Sequence, residues 1–324
     1  MARSRLFEYE HNQVLVEGNS SVRKVILNRP GKLNCLSFEM VSQLLKTFKA
    51  LELDPEVKLV IFKANGNAFC TGGDVINVIR FTLSGHWSFA ASFYRNLLTL
   101  EYLLATYEKP VVALINGMVM GAGAGMTMNG RFRIVTEKTQ FAMPEAALGL
   151  FADVGSSHYL SKLPGFFGEY LGLTGARIDG SEMLACGLAT HFIPSKSLPL
   201  LEKALSRLGS VDASTVIDIV DKFHYQQPLK PESALRGLDI ISKCFSRKTV
   251  EEILASLENE TAKSPDKWID ETLNRMKAAS PTSLKITLRT IREGRGQRLE
   301  QCLSRDYTIF RHCIRRTSSS DFYE

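Results

Sequence analysis

Over its first two hundred residues the chain alternates compact apolar runs with segments whose apolar residues recur every third or fourth position. The runs VRKVILNRP and VKLVIFKANG are rich in β-branched residues and end in turn residues, which predicts two strands. Between them, SFEMVSQLLKTFKALELDP has helical spacing and is stopped by Asp54-Pro55. KPVVALING predicts a third strand and RFRIVTEKTQFAM a fourth. This strand–helix–strand rhythm points to an α/β core. Beyond about Pro194 the pattern turns helical, through LPLLEKALSRLG, TVEEILASLENE, DKWIDETLNRMKAAS and SLKITLRTIREG. The expected division is an α/β core over residues 1–200 and a helical region over 201–324, without internal repeats or low-complexity tracts.

An apolar fraction of 44% and a charged fraction of 23% over 324 residues are those of a folded globular protein, not a disordered one. The net charge of +6 resides in the C-terminal stretch, where from Arg275 onward eleven Lys/Arg face five Asp/Glu. That excess suits either a phosphorylated ligand or solvated helix faces, and no nucleic-acid recognition motif accompanies it. Six cysteines stand at 35, 70, 186, 244, 302 and 313 with no CxxC pair. A chain this long needs no disulfide staples, so a reducing compartment is expected. The six histidines show no HExxH or other ligand spacing, and no metal site is expected. MARSRLFEYEHNQ lacks an apolar stretch of signal-peptide length and carries Glu8 and Glu10, which disfavours a secretory leader and weakens a mitochondrial one. The final Phe322-Tyr323-Glu324 is not a peroxisomal SKL-type address.

The stretch GMVMGAGAGMTMNG, Gly117 to Gly130, admits three readings. No residue from Pro110 to Gly130 is charged, and Gly117, Gly121 and Gly125 stand at GxxxG spacing, as in a membrane-packing helix. Asn116, Thr127 and Asn129, and a preceding β-branched VVALI run, favour a buried strand, a turn and a helix start instead. A dinucleotide-binding turn fits Gly121 and Gly123 but meets Met126 at its third glycine and Thr139-Gln140 where an acid is wanted. The third reading is a backbone turn. Glycine lets bare main chain approach a ligand, and a strand running into a helix start leaves unpaired N–H groups facing outward. Such donors suit an oxyanion, each contributing about 3–4 kcal/mol to acyl chemistry. A second turn of the same kind exists in NAFCTGGDVINVI, with Asp74 placed as the helix N-cap.

Those two turns, together with FAMPEAALGLFADVG, resemble the crotonase (enoyl-CoA hydratase/isomerase) superfamily, and within it the 3-hydroxyisobutyryl-CoA hydrolase branch, particularly its plant members. The resemblance runs from VLVEGNSSVRKVILNRPGKLNCLS through GFFGEYLGLTGARIDGSEMLACGLATHFIP to SPTSLKITLRTI. It implies an α/β fold, a spiral of ββα units around two roughly perpendicular sheets with C-terminal helices over the active site. It also implies an acyl-CoA substrate, no separate cofactor, a role in valine breakdown and a peroxisomal location, with a cytoplasmic one as the alternative. Homo-oligomerisation stays open. The thioester oxygen would sit between the backbone N–H groups of Cys70 and Ala122, the latter preceded by Gly121. Glu145 would be nucleophile or general base and Asp153 its partner; Gly149 lets the chain turn to bring them together. Asn28, Pro30, Leu33 and Leu36 match the loop that contacts the CoA adenosine, Gly72, Gly73 and Asp74 line the entrance, and Lys285 is placed to meet a phosphate.

The resemblance also marks three departures. The second oxyanion glycine of the family is Ala122 here, where any φ above zero would be strained. A pocket glutamate that contacts the substrate hydroxyl falls at Leu97. Relatives continue for tens of residues beyond SSDFYE. These departures support an alternative expectation, an acyl-CoA-binding protein of crotonase fold with little catalysis. A hydratase or isomerase is disfavoured because the position of the second hydratase acid holds Gly125.

Overall fold

The structure, a computed structural model, describes residues 12–18, 21–208, 213–263, 266–317 and 320–323. Strict alternation along the central strands places two apolar layers on opposite sides of one sheet. In β3 (Leu59–Ala64) Val60 and Phe62 face the main core, whereas Leu59 and Ile61 face a second, smaller one. In β5 (Val111–Ile115) Ala113 and Ile115 face the main core, and Val112 and Leu114 the smaller. Side chains of successive strand residues point to opposite faces, so a run that is apolar throughout must be covered on both. The smaller core is closed by Leu198, Leu201 and Leu205 with Val216 and Val220, from the helices Leu198–Leu205 and Ala213–Asp221.

The first sheet has the order β1 (Val14–Glu17), β2 (Val22–Leu27), β3, β5, β7 (Phe132–Val135), β10 (His191–Phe192), parallel except for the β1/β2 pair. The second has the order β4 (Ala68–Cys70), β6 (Met118–Met120), β8 (Gln140–Ala142), β9 (Ile178–Asp179), with only β9 antiparallel. The chain visits the two sheets in turn. It runs β3 to β4 to the helix Val75–Leu83, β5 to β6 to the helix Ala122–Met128, and β7 to β8 to a 3-10 turn at Glu145–Leu148. This is the expected ββα spiral, and three equivalent strand ends of the small sheet therefore lie side by side.

RFRIVTEKTQFAM, expected as one strand, forms two, β7 and β8, in different sheets. A buried turn divides them. The Thr136 N–H donates to Thr139 Oγ1 at 2.8 Å, and that hydroxyl donates to the Ile115 carbonyl at 2.6 Å. Helix α1 (Phe38–Leu53) follows its sequence signals, with the Ser37 side chain accepting from the Met40 N–H and Met40, Val41, Leu44, Phe48 and Leu51 buried at three- and four-residue intervals. The helix at Val75–Leu83 is α2, and α3 spans Trp87–Ala105; the helix at Ala122–Met128 is α4.

In the C-terminal half, the helix Pro281–Gly294 packs on Ser156–Leu160 and Phe167–Thr174, and the helix Leu299–Ile314 packs on α3. The main core is continuous from Val25 to Phe322. No described helix is long and apolar enough to cross a membrane.

A Cβ on Gly123, in α4, would lie 2.3 Å from the Cys70 carbonyl oxygen, whereas one on Gly31 would meet nothing within 4 Å. Gly123→Ala is expected to destabilise the fold by about 1–3 kcal/mol through this backbone clash. Gly31→Ala should stay within about 0.5 kcal/mol of the parent. Urea unfolding midpoints of the two variants check this.

Candidate active site

Where β4 ends at Cys70, Gly72 takes φ +105, a left-handed value that glycine tolerates. The chain is held there by the loop following β2. The Leu36 N–H donates to the Gly72 carbonyl at 2.8 Å and the Asp74 N–H to the Leu36 carbonyl at 3.0 Å. Asp74 caps α2 by accepting from the Asn77 N–H, and pairs with Arg29 at 3.4 Å. Where β6 ends, Gly121 adopts φ 49, ψ −123, and α4 begins at Ala122; the Ala124 and Gly125 N–H groups return to the Gly121 carbonyl at 2.9 and 3.0 Å, so the N–H groups of Ala122 and Gly123 precede the first helical bonds. The two turns touch, since a Cβ on Gly72 would stand 3.8 Å from the Ala122 nitrogen.

Ala122 is not among the residues with positive φ, so the strain anticipated there is absent; the irregular backbone is confined to Gly121. The Ala122 methyl instead forms part of the cavity wall beside Gly72 and Gly121. The Cys70 thiol is buried, and burial pushes it up to about 12, which fits a packing side chain and not a nucleophile.

Where β8 ends, Pro144 leads into the 3-10 turn that carries Glu145, and Gly149 at φ +71 terminates it. Glu145 is buried and its Oε2 has no hydrogen-bond partner among the described residues. A Cβ added to Gly121 would lie 2.6 Å from Glu145 Oε1, so only glycine leaves room for this carboxyl against the second turn. Asp153, also buried, accepts a 2.6 Å hydrogen bond from the Tyr94 hydroxyl on α3. Val154 at φ 54 and Gly155 at φ 68 turn the chain after it. That turn is pinned from the C-terminal helices. The Gly155 N–H donates to Asp306 Oδ2 at 2.9 Å and the Ala152 N–H to Thr287 Oγ1 at 3.1 Å, while Phe310 stacks on Tyr94 with ring centroids 3.9 Å apart.

Burial, and then the Asp153 charge, hold the Glu145 carboxyl well above the usual range. Burial raises Asp153 to about 6, opposed by the Tyr94 hydrogen bond. The two titrate as a pair, with the charge favoured on Asp153 because Tyr94 donates to it.

Two further buried acids lie behind this pair, and sequence reasoning missed both. Neither oxygen of Glu101, on α3, has a partner among the described residues, and a Cβ on Gly125 would lie 2.4 Å from Glu101 Oε1. The Glu101 carboxyl thus fills the space that the missing side chain at 125 leaves. Burial, with Asp153 and Asp306 nearby, raises it strongly. Asp306 is raised to about 8, chiefly by burial. The signal was present in the sequence. Each acid interrupts an apolar helical stripe, Leu97, Leu100, Glu101, Leu104 in one case and Cys302, Leu303, Asp306, Phe310 in the other.

Glu145, Asp153, Gly72, Gly73, Gly121, Ala122 and Leu97 all line one cavity of about 80 Å3. Asn28 lies on the adjoining loop, bonded to Asn65 at 3.0 Å, followed by the short helix Pro30–Lys32 and by Leu33, which is exposed and left-handed at φ 51. Leu36 is fully buried, so it meets the site through backbone alone. Lys285 is not brought to the site; it lies outside the cavity wall and pairs with Glu251 at 2.7 Å. Wider open grooves, of about 460 Å3 beside Glu52 and Arg131 and about 590 Å3 beside Arg247, show no such convergence of acids and strand ends. No His, Cys, Asp or Glu cluster among the described residues is arranged to hold a metal ion.

The structure is a two-sheet ββα spiral in which the turns after three strand ends and a buried carboxyl pair meet at one small cavity, which Cys70 itself does not line. The chain belongs to the enoyl-CoA hydratase/isomerase family, whose model matches residues 22–324. It is 55% identical over 313 residues to 3-hydroxyisobutyryl-CoA hydrolase 1 of Arabidopsis thaliana, covering 97% of this chain and 83% of that one. It is also 42% identical over 313 residues to small ribosomal subunit protein mS47 of Arabidopsis thaliana, covering 97% and 76%. Among solved structures, a carnitinyl-CoA dehydratase from Mycobacterium thermoresistibile matches with a TM-score of 0.88 at 28% identity, over 97% of this chain and 88% of that one.

Two pH responses follow from these acids. A carboxyl whose folded pKa exceeds its unfolded value favours folding fully below the unfolded pKa, and progressively loses that contribution as pH rises toward the folded value. For Asp306 the window runs from its ordinary 3.8 to about 8. The thermal midpoint is expected to fall as pH rises through that window, and Asp306→Asn, which keeps an acceptor for Gly155, should flatten the fall in differential scanning fluorimetry. Tyr94→Phe removes the side-chain donor that lowers Asp153, so an acid limb governed by Asp153 in a kcat/KM–pH profile should move to higher pH.

Proposed function

We propose that this protein hydrolyses the thioester of 3-hydroxyisobutyryl-CoA to 3-hydroxyisobutyrate and CoA, serving valine breakdown in the peroxisome. The supporting observation is the seating of Glu145 Oε1 against Gly121, which puts a buried carboxyl beside the turn that begins with the Ala122 N–H. The name of the Arabidopsis relative supports the substrate.

In this reading the thioester oxygen accepts from the N–H groups of Cys70 and Ala122, which stabilise the tetrahedral oxyanion by about 3–4 kcal/mol each. The resting pair holds one proton, on Glu145. Glu145 passes it to Asp153 as its carboxylate attacks the carbonyl carbon. The C–O bond forms, the C–S bond breaks, and the CoA thiolate leaves with the proton from Asp153. Water then attacks the anhydride and gives a proton to Asp153. The acyl–Glu145 bond breaks, and Asp153 returns its proton to the freed Glu145. If Glu145 activates water directly, the same groups act in one step. Tyr94 stays protonated throughout, because burial and Asp153 push its hydroxyl far above neutrality.

A second reading, binding of acyl-CoA without turnover, is favoured by Leu97 in the cavity wall, where the resemblance places a glutamate that contacts the substrate hydroxyl. Thiol release from 3-hydroxyisobutyryl-CoA separates the two. The parent should turn over, Glu145→Gln should lose about 10²–10⁴-fold in kcat, and Ala122→Gly should retain activity. A parent that binds the thioester but releases no CoA would establish the second reading, and turnover indifferent to Glu145→Gln would remove Glu145 from the mechanism.

A further inference from the structure

Two residues of the cavity wall, Phe310 and Phe322, come from the C-terminal segment, far in sequence from the others. Phe322 reaches the wall on a short strap, Ser320–Tyr323, and is only 5% exposed. The strap is fastened at four points. The Ser280 hydroxyl donates to the Asp321 carboxylate, the Tyr323 hydroxyl donates to the Ile314 carbonyl at 2.8 Å, and the Arg316 guanidinium lies 4.4 Å from the centre of the Tyr323 ring. The strap backbone also rests directly on Gly149, where a Cβ would stand 2.3 Å from the Asp321 carbonyl. Gly149 ends the turn that begins at Glu145, so the strap and the candidate nucleophile share one support.

The apolar part of the same wall includes Phe93, Leu97, Leu148 and Phe310. Phe322 adds an aromatic ring to this apolar part of the wall from outside the helices and strands. The cavity is small, about 80 Å3, beside open grooves of about 460 and 590 Å3 elsewhere on the protein.

We infer that Phe322 is a specificity-determining residue: its ring closes the acyl end of the cavity and restricts the site to short, compact acyl thioesters. The inference rests on the acyl-CoA reading given above. Removing the ring opens room for further methylenes, each of which is worth about 10-fold or more in an apolar pocket.

The test measures Kd by calorimetry and kcat/KM by thiol release, for isobutyryl-CoA and hexanoyl-CoA, on the parent, Phe322→Ala and Phe322→Trp. Phe322→Ala should raise the hexanoyl-to-isobutyryl preference about tenfold or more in both measurements, and Phe322→Trp should lower it. Equal effects on the two chain lengths, or none, would overturn the inference and place the ring over the CoA arm instead. If the parent binds both thioesters but hydrolyses neither, the hydrolase reading fails, while the ratio of the two dissociation constants still decides the role of Phe322. Because the two variants are expected to shift the ratio in opposite directions, general loosening of the fold cannot mimic the result.

Discussion

Everything at the site depends on how closely bare backbone can be brought to a carboxyl group. β4, β6 and β8 are parallel neighbours, so their ends at Cys70, Met120 and Ala142 emerge together, and each continues into a turn that supplies one element of the site. Two contacts fix the spacing. A side chain at Gly123 would collide with the Cys70 carbonyl, and one at Gly121 would collide with Glu145. The first sets how near the two N–H turns lie to each other, and the second how near the carboxyl lies to them. Only hydrogen can occupy the side-chain position at both, which is why methionines and alanines surround these glycines but do not replace them.

The carboxyl pair is equally dependent on the helices that follow it by more than a hundred residues. Val154, a β-branched residue at φ 54, costs about 1–3 kcal/mol in backbone strain. That conformation persists because the segment is tied on both sides, by Thr287 at Ala152 and by Asp306 at Gly155. Asp306 is therefore part of the scaffold, yet it is also a buried acid whose Oδ1 has no hydrogen-bond partner among the described residues. Burying four acids within one apolar region costs stability, and the protein limits the charge by leaving most of them protonated. Tyr94 then decides where the remaining charge sits, since it donates to Asp153 and not to Glu145.

Much of this was legible from the chain. β2, β3 and β5 announced themselves as β-branched runs, and α1 by its Ser37 cap and Asp54-Pro55 stop, because these signals are local. Asp74 was legible as a cap for the same reason. The division of RFRIVTEKTQFAM was not, because the Thr136–Thr139 turn is stabilised by the Ile115 carbonyl, which sequence spacing does not place beside it. The pairing of Lys285 with Glu251, and the partnership of Tyr94 with Asp153, are likewise tertiary facts. Strain at Ala122 was expected only if that residue took a positive φ, and it does not. Gly121 absorbs the left-handed conformation, which leaves Ala122 free to start α4 with ordinary angles.

That Gly121 and not Ala122 takes the positive φ bears on the chemistry. An alanine forced into positive φ would have tilted its own N–H and argued against a working oxyanion hole. An alanine at the first position of α4 presents the same N–H as glycine would, because the methyl and the N–H leave the backbone in different directions. What the methyl does change is the cavity, and there it acts together with Leu97 and Phe310 to make the surroundings more apolar. A more apolar site raises the carboxyls further and strengthens each remaining hydrogen bond to a developing oxyanion. In the proposed hydrolase, the groups that make the cavity inhospitable to charge would therefore also make the Cys70 and Ala122 N–H donors more effective once charge forms between them.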